Sequence, residues 1–216
     1  MAKKSTPARP ATTILLVRHG QTSTTGSVLP GRAKGLHLAD TGRAQAQRAA
    51  ERIGELKRVD AIYCSPLERT RETAAPIGAA VGLRPVTERG LLECDFGDWT
   101  GAELKQLMKL PEWGTVQRVP STFRFPGGES FGEMQHRIVS TLDRLRARHP
   151  GGTVVCVSHA DPIKAALAHA LGTHLDLFQR IVVSPCSVSI VSWSPFGPIA
   201  LTVNSTGGSL AELAPS

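Results

Sequence analysis

The chain has 216 residues, 41% of them hydrophobic and 20% charged, enough apolar material for one substantial core and best read as a single domain. No run approaches the roughly 20 apolar residues that cross a bilayer. The short run Ile14 to Val17 ends at once in Arg18 and His19, so no signal peptide is expected and a cytoplasmic location is the default expectation.

Lys and Arg number 25 against 18 Asp and Glu, a net charge of +7. There is no dense Lys/Arg block and no aromatic interleaving, which argues against nucleic-acid binding. A solubilising surface and attraction of anionic small molecules to a cleft both remain open. Cys64, Cys94, Cys156 and Cys186 form no CxxC pair, against a zinc site or a disulfide scaffold. Cys156, inside an apolar run, reads as a small buried hydrophobe.

Residues 1–12 read as a polar, flexible arm. Thr13 to Val17 is a β-branched and leucine run expected to be a strand. It stops at Arg18-His19-Gly20, where Gly20 suits a sharp turn by taking a backbone conformation closed to other residues. Gln21 to Thr41 is rich in Thr, Ser and Gly and reads as loop. Ala46, Ala49, Ile53 and Leu56 recur at steps of three and four, predicting a helix from about Gly42 to Lys57. Val59 to Cys64 resembles a second strand, closed by Ser65-Pro66. Leu67, Thr70, Ala74, Ile77 and Val81 give a second helical stripe, which Pro76 is expected to shorten or kink.

From Val86 to Glu129 no period holds. Trp99, Trp113 and the Pro126-Gly127-Gly128 cluster suggest a partly helical segment, about 98–129, laid over the core with its tryptophans packed. Phe131, Met134, Ile138, Leu142 and Leu145 predict an amphipathic helix ending near His149. Thr153 to Val157 reads as a strand, and Pro162 suits the first turn of the helix after it. Ser187 to Trp193 and Pro198 to Val203 read as a last pair of strands joined by Ser194 to Gly197. The tail from Asn204 is expected to be loosely held. Strands alternating with helices predict an α/β fold, a three-layer α/β/α sandwich with a largely parallel central sheet. It would occupy residues 13–204, with 205–216 as tail.

Ligands of open α/β sheets bind at the carboxyl ends of the strands. His19 and His159 stand there on independent strands, with Arg18 beside the first and Arg69 just past the second strand. Phosphoryl transfer needs positive donors around the equatorial oxygens, a nucleophile and a proton source. Arginine offers a planar fork matched to phosphate, and imidazole is a competent nucleophile near neutral pH. By spacing alone the acid is open among Glu68, Glu72, Glu88, Glu93, Asp95, Asp98 and Asp161.

Leu16-Val17-Arg18-His19-Gly20-Gln21-Thr22 resembles the signature of the histidine phosphatase superfamily, the group that includes cofactor-dependent phosphoglycerate mutases. Ser65 to Ala74 (SPLERTRETA), Leu91 to Gly101 (LLECDFGDWTG) and Val157-Ser158-His159-Ala160 are similar to its second, third and fourth motifs. They occur in family order, and Pro126 to Ser130 (PGGES) is a further common element. The resemblance implies a phosphoglycerate mutase-like fold, no cofactor and no metal. It implies His19 as a nucleophile forming phosphohistidine, with Arg18, Arg69 and His159 gripping the phosphoryl oxygens. Glu93 would be the acid and base, and Gln21, Thr22, Thr25 and Ala160 complete the phosphate-binding set.

Two positions depart from the pattern. Thr25 stands where asparagine is common, and Ala160 where glycine is frequent. Glu129 is open between a place near the site and a capping role at the helix start. Glu93-Cys94-Asp95-Phe96-Gly97-Asp98-Trp99 is similar to the phosphatase branch, so hydrolysis of a small phosphate monoester is the expectation. Phosphoglycerate mutase-type transfer and non-catalytic binding of phosphorylated ligands are the alternatives. Lys109, Arg118 and Arg124 are candidates for a second anionic group of the substrate, or solvated charges. A homodimer is open, dimers being common among such relatives; no membrane or nucleic-acid partner is expected.

Overall fold

The computed structural model describes residues 11–213. Residues 1–10, most of the expected arm, and residues 214–216 lie outside the described part. Six strands form one sheet in the order β3-β2-β4-β1-β5-β6. β1 (Thr12–Arg18), β2 (Ala61–Cys64), β3 (Val86–Thr87) and β4 (Thr153–Ser158) run parallel. β5 (Val188–Ser194) turns antiparallel against β1, and β6 (Gly197–Ser205) against β5.

β1 and β4 are the central pair, with Leu16 opposite Cys156 and Val17 opposite Val157. Covered on both faces, they need near-continuous apolar runs, which is what TILLV and TVVCV supply. Alternation then sorts the side chains by face. Leu15 and Val17 join Ala50, Ile53, Ala74 and Ile77 under α1 (Asp40–Gly54) and α2 (Glu68–Val81). Ile14 and Leu16 face Ile138, Leu142, Ile163 and Leu167 of α5 (Phe131–Arg148) and α6 (Ala160–Ala170). The three-layer α/β/α sandwich expected from the sequence is the fold, with its last two strands antiparallel.

The segment between β3 and α5 holds two short helices, α3 (Leu104–Leu107) and α4 (Pro111–Arg118). It closes over the α5 side through packed rings: Trp99 stacks on Trp113 at 6.4 Å and meets Phe125 edge-on at 5.4 Å. All four cysteines are free and buried. Among the described residues, no helix is long and apolar enough to cross a membrane.

Several expectations are corrected. Of the two effects expected of Pro76, shortening is not seen: α2 runs on to Val81 and stops at the left-handed Gly82. An interior proline costs about 3 kcal/mol, and the burial of Thr73, Ala74, Ile77 and Gly78 on α2 outweighs it. The segment from Asn204 is held: β6 continues to Ser205, Leu210 is fully buried, and Arg52 donates to the carbonyls of Ser205, Gly207 and Gly208. α5 is capped by Ser130 and Glu133 in a reciprocal box, not by Glu129.

Candidate active site

Backbone hydrogen bonds lace the carboxyl ends of the parallel strands together. His19 N–H donates to Ser158 O at 3.0 Å, Ser65 N–H to Val157 O at 3.0 Å, and Arg18 N–H to Ser187 O at 3.3 Å. The loops after β1, β2 and β4 are thereby fixed side by side. The His19 and His159 rings lie edge to face with centroids 5.2 Å apart, both buried.

His19 Nδ1 lies 2.7 Å from Gly20 O. A carbonyl only accepts, so Nδ1 carries the proton and Nε2 keeps its lone pair. Burial, reinforced by the Arg69 and Arg18 charges against the opposing Gly20 hydrogen bond, pushes the imidazole pKa down to about 3. The ring is therefore neutral across the physiological range.

Gly20 N–H donates to Thr73 Oγ1 at 3.0 Å, and that hydroxyl donates to Arg69 O at 2.8 Å. The reason for glycine at this turn differs from the sequence expectation: Gly20 is absent from the positive-φ residues. What demands it is a close approach to the start of α1. A Cβ on Gly20 would sit 2.5 Å from Gly42 O, and one on Gly42 would sit 2.0 Å from Gln21 O. Gly42→Ala is expected to destabilise the fold by about 1–3 kcal/mol through this overpacking, read as a lower urea midpoint at unchanged m-value.

The cations fall into two kinds. Arg69, fully buried, gives Nη2 to Gly31 O at 2.7 Å, while its Nε and Nη1 are buried without a partner. Arg18 gives Nη1 to Val183 O at 2.7 Å and leaves Nε unpartnered. His159 Nε2 meets Ser65 Oγ at 2.9 Å and its Nδ1 is unpartnered. Buried donors left unpaired cost about 1–3 kcal/mol each, more when charged. Burial lowers the pKa of both guanidinium groups, opposed by Glu93, and burial with Arg69 takes His159 well below its usual value.

Glu93 is the one buried residue among the seven acids that spacing left open. Its Oε1 accepts from Cys94 N–H at 2.9 Å. Burial, then the Asp161 charge, raises its pKa to about 7 despite Arg69 and Arg18. Asp161 lies in the first turn of α6, 3.5 Å from Lys164. Three of the other acids are engaged elsewhere: Glu72 with His37 and Leu38 N–H, Glu88 with Arg144, Asp95 with Arg32.

Other expected residues take more local parts. Thr25 Oγ1 accepts from Thr22 N–H at 2.9 Å and bonds the Thr22 hydroxyl at 3.0 Å, closing its own turn. The Gln21 carboxamide accepts from Thr41 at 3.4 Å. Ala160 opens α6 immediately after His159. Arg124 pairs with Glu133, and Lys109 bonds Gln106 at 3.0 Å. Sequence reasoning missed Ser65 as the partner of His159, Thr73 under Gly20, and Arg32 and Arg137 behind Glu93. Among the described residues, no group of three or more His, Cys, Asp or Glu is arranged to hold a metal ion.

The family model of the histidine phosphatase superfamily (branch 1) matches residues 14–206. The chain belongs to this superfamily. It is a hydrolase of the histidine phosphatase type. Phosphoserine phosphatase 1 of Hydrogenobacter thermophilus is 32% identical to this superfamily member over 198 residues, 89% of the chain and 92% of that relative. The bifunctional protein Rv2228c of Mycobacterium tuberculosis is 32% identical over 212 residues, and the match spans 94% of the chain but 56% of that longer protein. The structure of a mycobacterial glucosyl-3-phosphoglycerate phosphatase superposes with a TM-score of 0.81 at 27% identity, covering 90% of this chain and 99% of that one.

Proposed function

We propose that this chain hydrolyses small phosphate monoesters without a metal ion, passing the phosphoryl group to Nε2 of His19 and then to water. The observation that carries the reading is the pairing of a free Nε2 on a neutral buried imidazole with unpartnered donors on three neighbouring side chains. The Nε2 lone pair attacks phosphorus, and the bond to the ester oxygen breaks. Arg69 Nε and Nη1, Arg18 Nε and His159 Nδ1 donate to the non-bridging oxygens, where charge shifts in the transition state. With Ser65 donating to His159 Nε2, the proton stays on Nδ1 for this purpose.

Glu93, protonated up to about pH 7, gives its proton to the departing alkoxide. The resulting carboxylate takes a proton from water as that water attacks phosphorus. The P–N bond then breaks, its electron pair returns to Nε2, and phosphate leaves with Glu93 protonated again.

The substrates named for two relatives, phosphoserine and glucosyl-3-phosphoglycerate, are both phosphorylated carboxylic acids. A basic chain of net charge +7 suits such anions, so compounds of this class head the substrate panel.

Inorganic phosphate release is to be followed in the presence of EDTA across small monoesters, with acid- and alkali-quench of a radiolabelled ester. EDTA-insensitive release and a protein-bound phosphate stable to alkali but labile to acid are expected. Release abolished by EDTA overturns the metal-free mechanism. Conversion of 3-phosphoglycerate to 2-phosphoglycerate with little phosphate release replaces hydrolysis with the mutase reading. Tight phosphate binding with no turnover and no bound phosphate replaces it with a ligand-binding role.

A further inference from the structure

The arginines near the site differ in how much of their hydrogen-bonding capacity the protein itself consumes. Arg18 and Arg69 keep buried donors free. Arg137, on α5, keeps none. Its Nε donates to Glu129 Oε1 at 2.9 Å and its Nη1 to the carbonyls of Gly90 at 2.9 Å and Leu92 at 2.8 Å. Its Nη2 donates to Glu93 O at 3.2 Å and Glu129 Oε2 at 2.9 Å. A guanidinium has five N–H groups, and all are spent here on one loop and one carboxylate. Nothing is left over for a substrate.

The loop so held carries the acid. Glu93 O also accepts from Arg32 Nε at 2.9 Å, and Arg32 Nη2 reaches Glu129 Oε1 at 2.9 Å. Glu129 is thus shared by both arginines, and its Oε2 also accepts from Asp95 N–H at 3.1 Å. Contact with α5 is close because residue 90 is glycine: a Cβ there would lie 1.9 Å from Thr141 Oγ1.

The peptide between Glu93 and Cys94 is a rigid plane. One edge is the Glu93 carbonyl, gripped by Arg32 and Arg137. The opposite edge is Cys94 N–H, which donates to the Glu93 carboxylate itself at 2.9 Å. Turning that plane would swing the N–H away and release the carboxyl group.

We propose that Arg137, locked in place with Arg32 by Glu129, is a positioning residue that aims the Glu93 carboxyl group at the leaving oxygen by fixing the Glu93–Cys94 peptide. This rests on the phosphatase reading with Glu93 as acid, and it gives Glu129 a role as the hub of the clamp.

A loss of aim hurts substrates whose leaving group needs a proton and spares those whose leaving group departs as a stable anion. The experiment compares an alkyl monoester, phosphoserine, with p-nitrophenyl phosphate in wild type, Arg137→Met, Arg137→Lys and Arg32→Met, with Tm and vanadate affinity recorded for each. General acid catalysis is worth about 10²–10⁴-fold. Arg137→Met should therefore lower kcat/KM, which reports the phosphorylation step alone, by about 10–100-fold for phosphoserine and by less than about 3-fold for p-nitrophenyl phosphate.

Arg137→Lys should restore Tm without restoring the ratio between the esters, since an ammonium cannot span three carbonyls and a carboxylate. Arg32→Met should shift the ratio in the same direction by less. Equal losses on both esters, or a lysine variant that recovers the wild-type ratio, would overturn the proposal. Should Arg137→Met fail to fold, Glu129→Gln and Arg32→Met carry the same comparison, and an unchanged ratio in both is equally fatal. A wild type that turns over neither ester sinks the phosphatase reading itself, an outcome distinct from equal losses in the variants.

Discussion

His19→Ala is expected to lower kcat/KM for the best monoester by about 10⁴–10⁶-fold, because the variant loses the atom to which phosphorus is transferred. No neighbour can substitute. His159 Nε2 is committed to Ser65, and burial with the Arg69 charge governs its state. The variant should still bind inorganic phosphate or vanadate, since the unpartnered donors of Arg18, Arg69 and His159 belong to other side chains. Calorimetry with phosphate, run beside the kinetic assay, separates the two effects. Retained affinity with lost turnover identifies the nucleophile. Turnover within about tenfold of wild type would remove His19 from that role.

Glu93→Gln is the second large effect. Glutamine keeps the hydrogen bond from Cys94 N–H but has no acidic proton, so alkyl esters should lose about 10²–10⁴-fold in kcat. Esters with a stable leaving anion should lose far less in the phosphorylation step, visible in single-turnover kinetics.

The pH profile gives an independent check. The Glu93 pKa is raised from 4.5 to about 7, so the acid form persists as pH rises to that value and disappears above it. kcat/KM should therefore fall on the basic side near pH 7, and Glu93→Gln should abolish that limb. His19, depressed to about 3, stays an unprotonated nucleophile throughout the same window. The raised carboxyl also means that the folded state holds more protons than the unfolded state between these two values. Its contribution to stability is then lost as pH rises from 4.5 towards 7. A basic limb that survives in Glu93→Gln would assign the proton to another group.

The two histidines were legible because each ends a β-branched run that can only be a central strand, and strand ends of one sheet converge. Glu93 had no such signal. It follows a single turn of 3-10 helix at Arg89–Leu91, where no period marks one face, and only the resemblance of its motif singled it out. Arg137 was harder still. Along α5 it is one arginine among several, and what distinguishes it from Arg144 or Arg146 is a distant glycine that lets a loop approach. That is a tertiary fact with no local trace.

Other differences have similar causes. In a run of threonines the nearest hydroxyls of Thr22, Thr24 and Thr25 bond one another, a local engagement that residue type alone does not announce. Gly20 was assigned to a turn conformation when the constraint was a neighbouring backbone. Leu210, with Leu213 packed beside it, docks a mostly polar tail against the sheet.

The unpartnered donors of Arg18, Arg69 and His159 also bear on what happens after the chemistry is over. They favour any tetrahedral dianion, and inorganic phosphate is one. The empty site therefore leaves the fold less stable than the filled one, and each round of hydrolysis generates the compound that relieves this deficit. Free phosphate then competes with the ester for the same donors. An enzyme of this design slows as its own product accumulates, so that its rate reports the free phosphate around it.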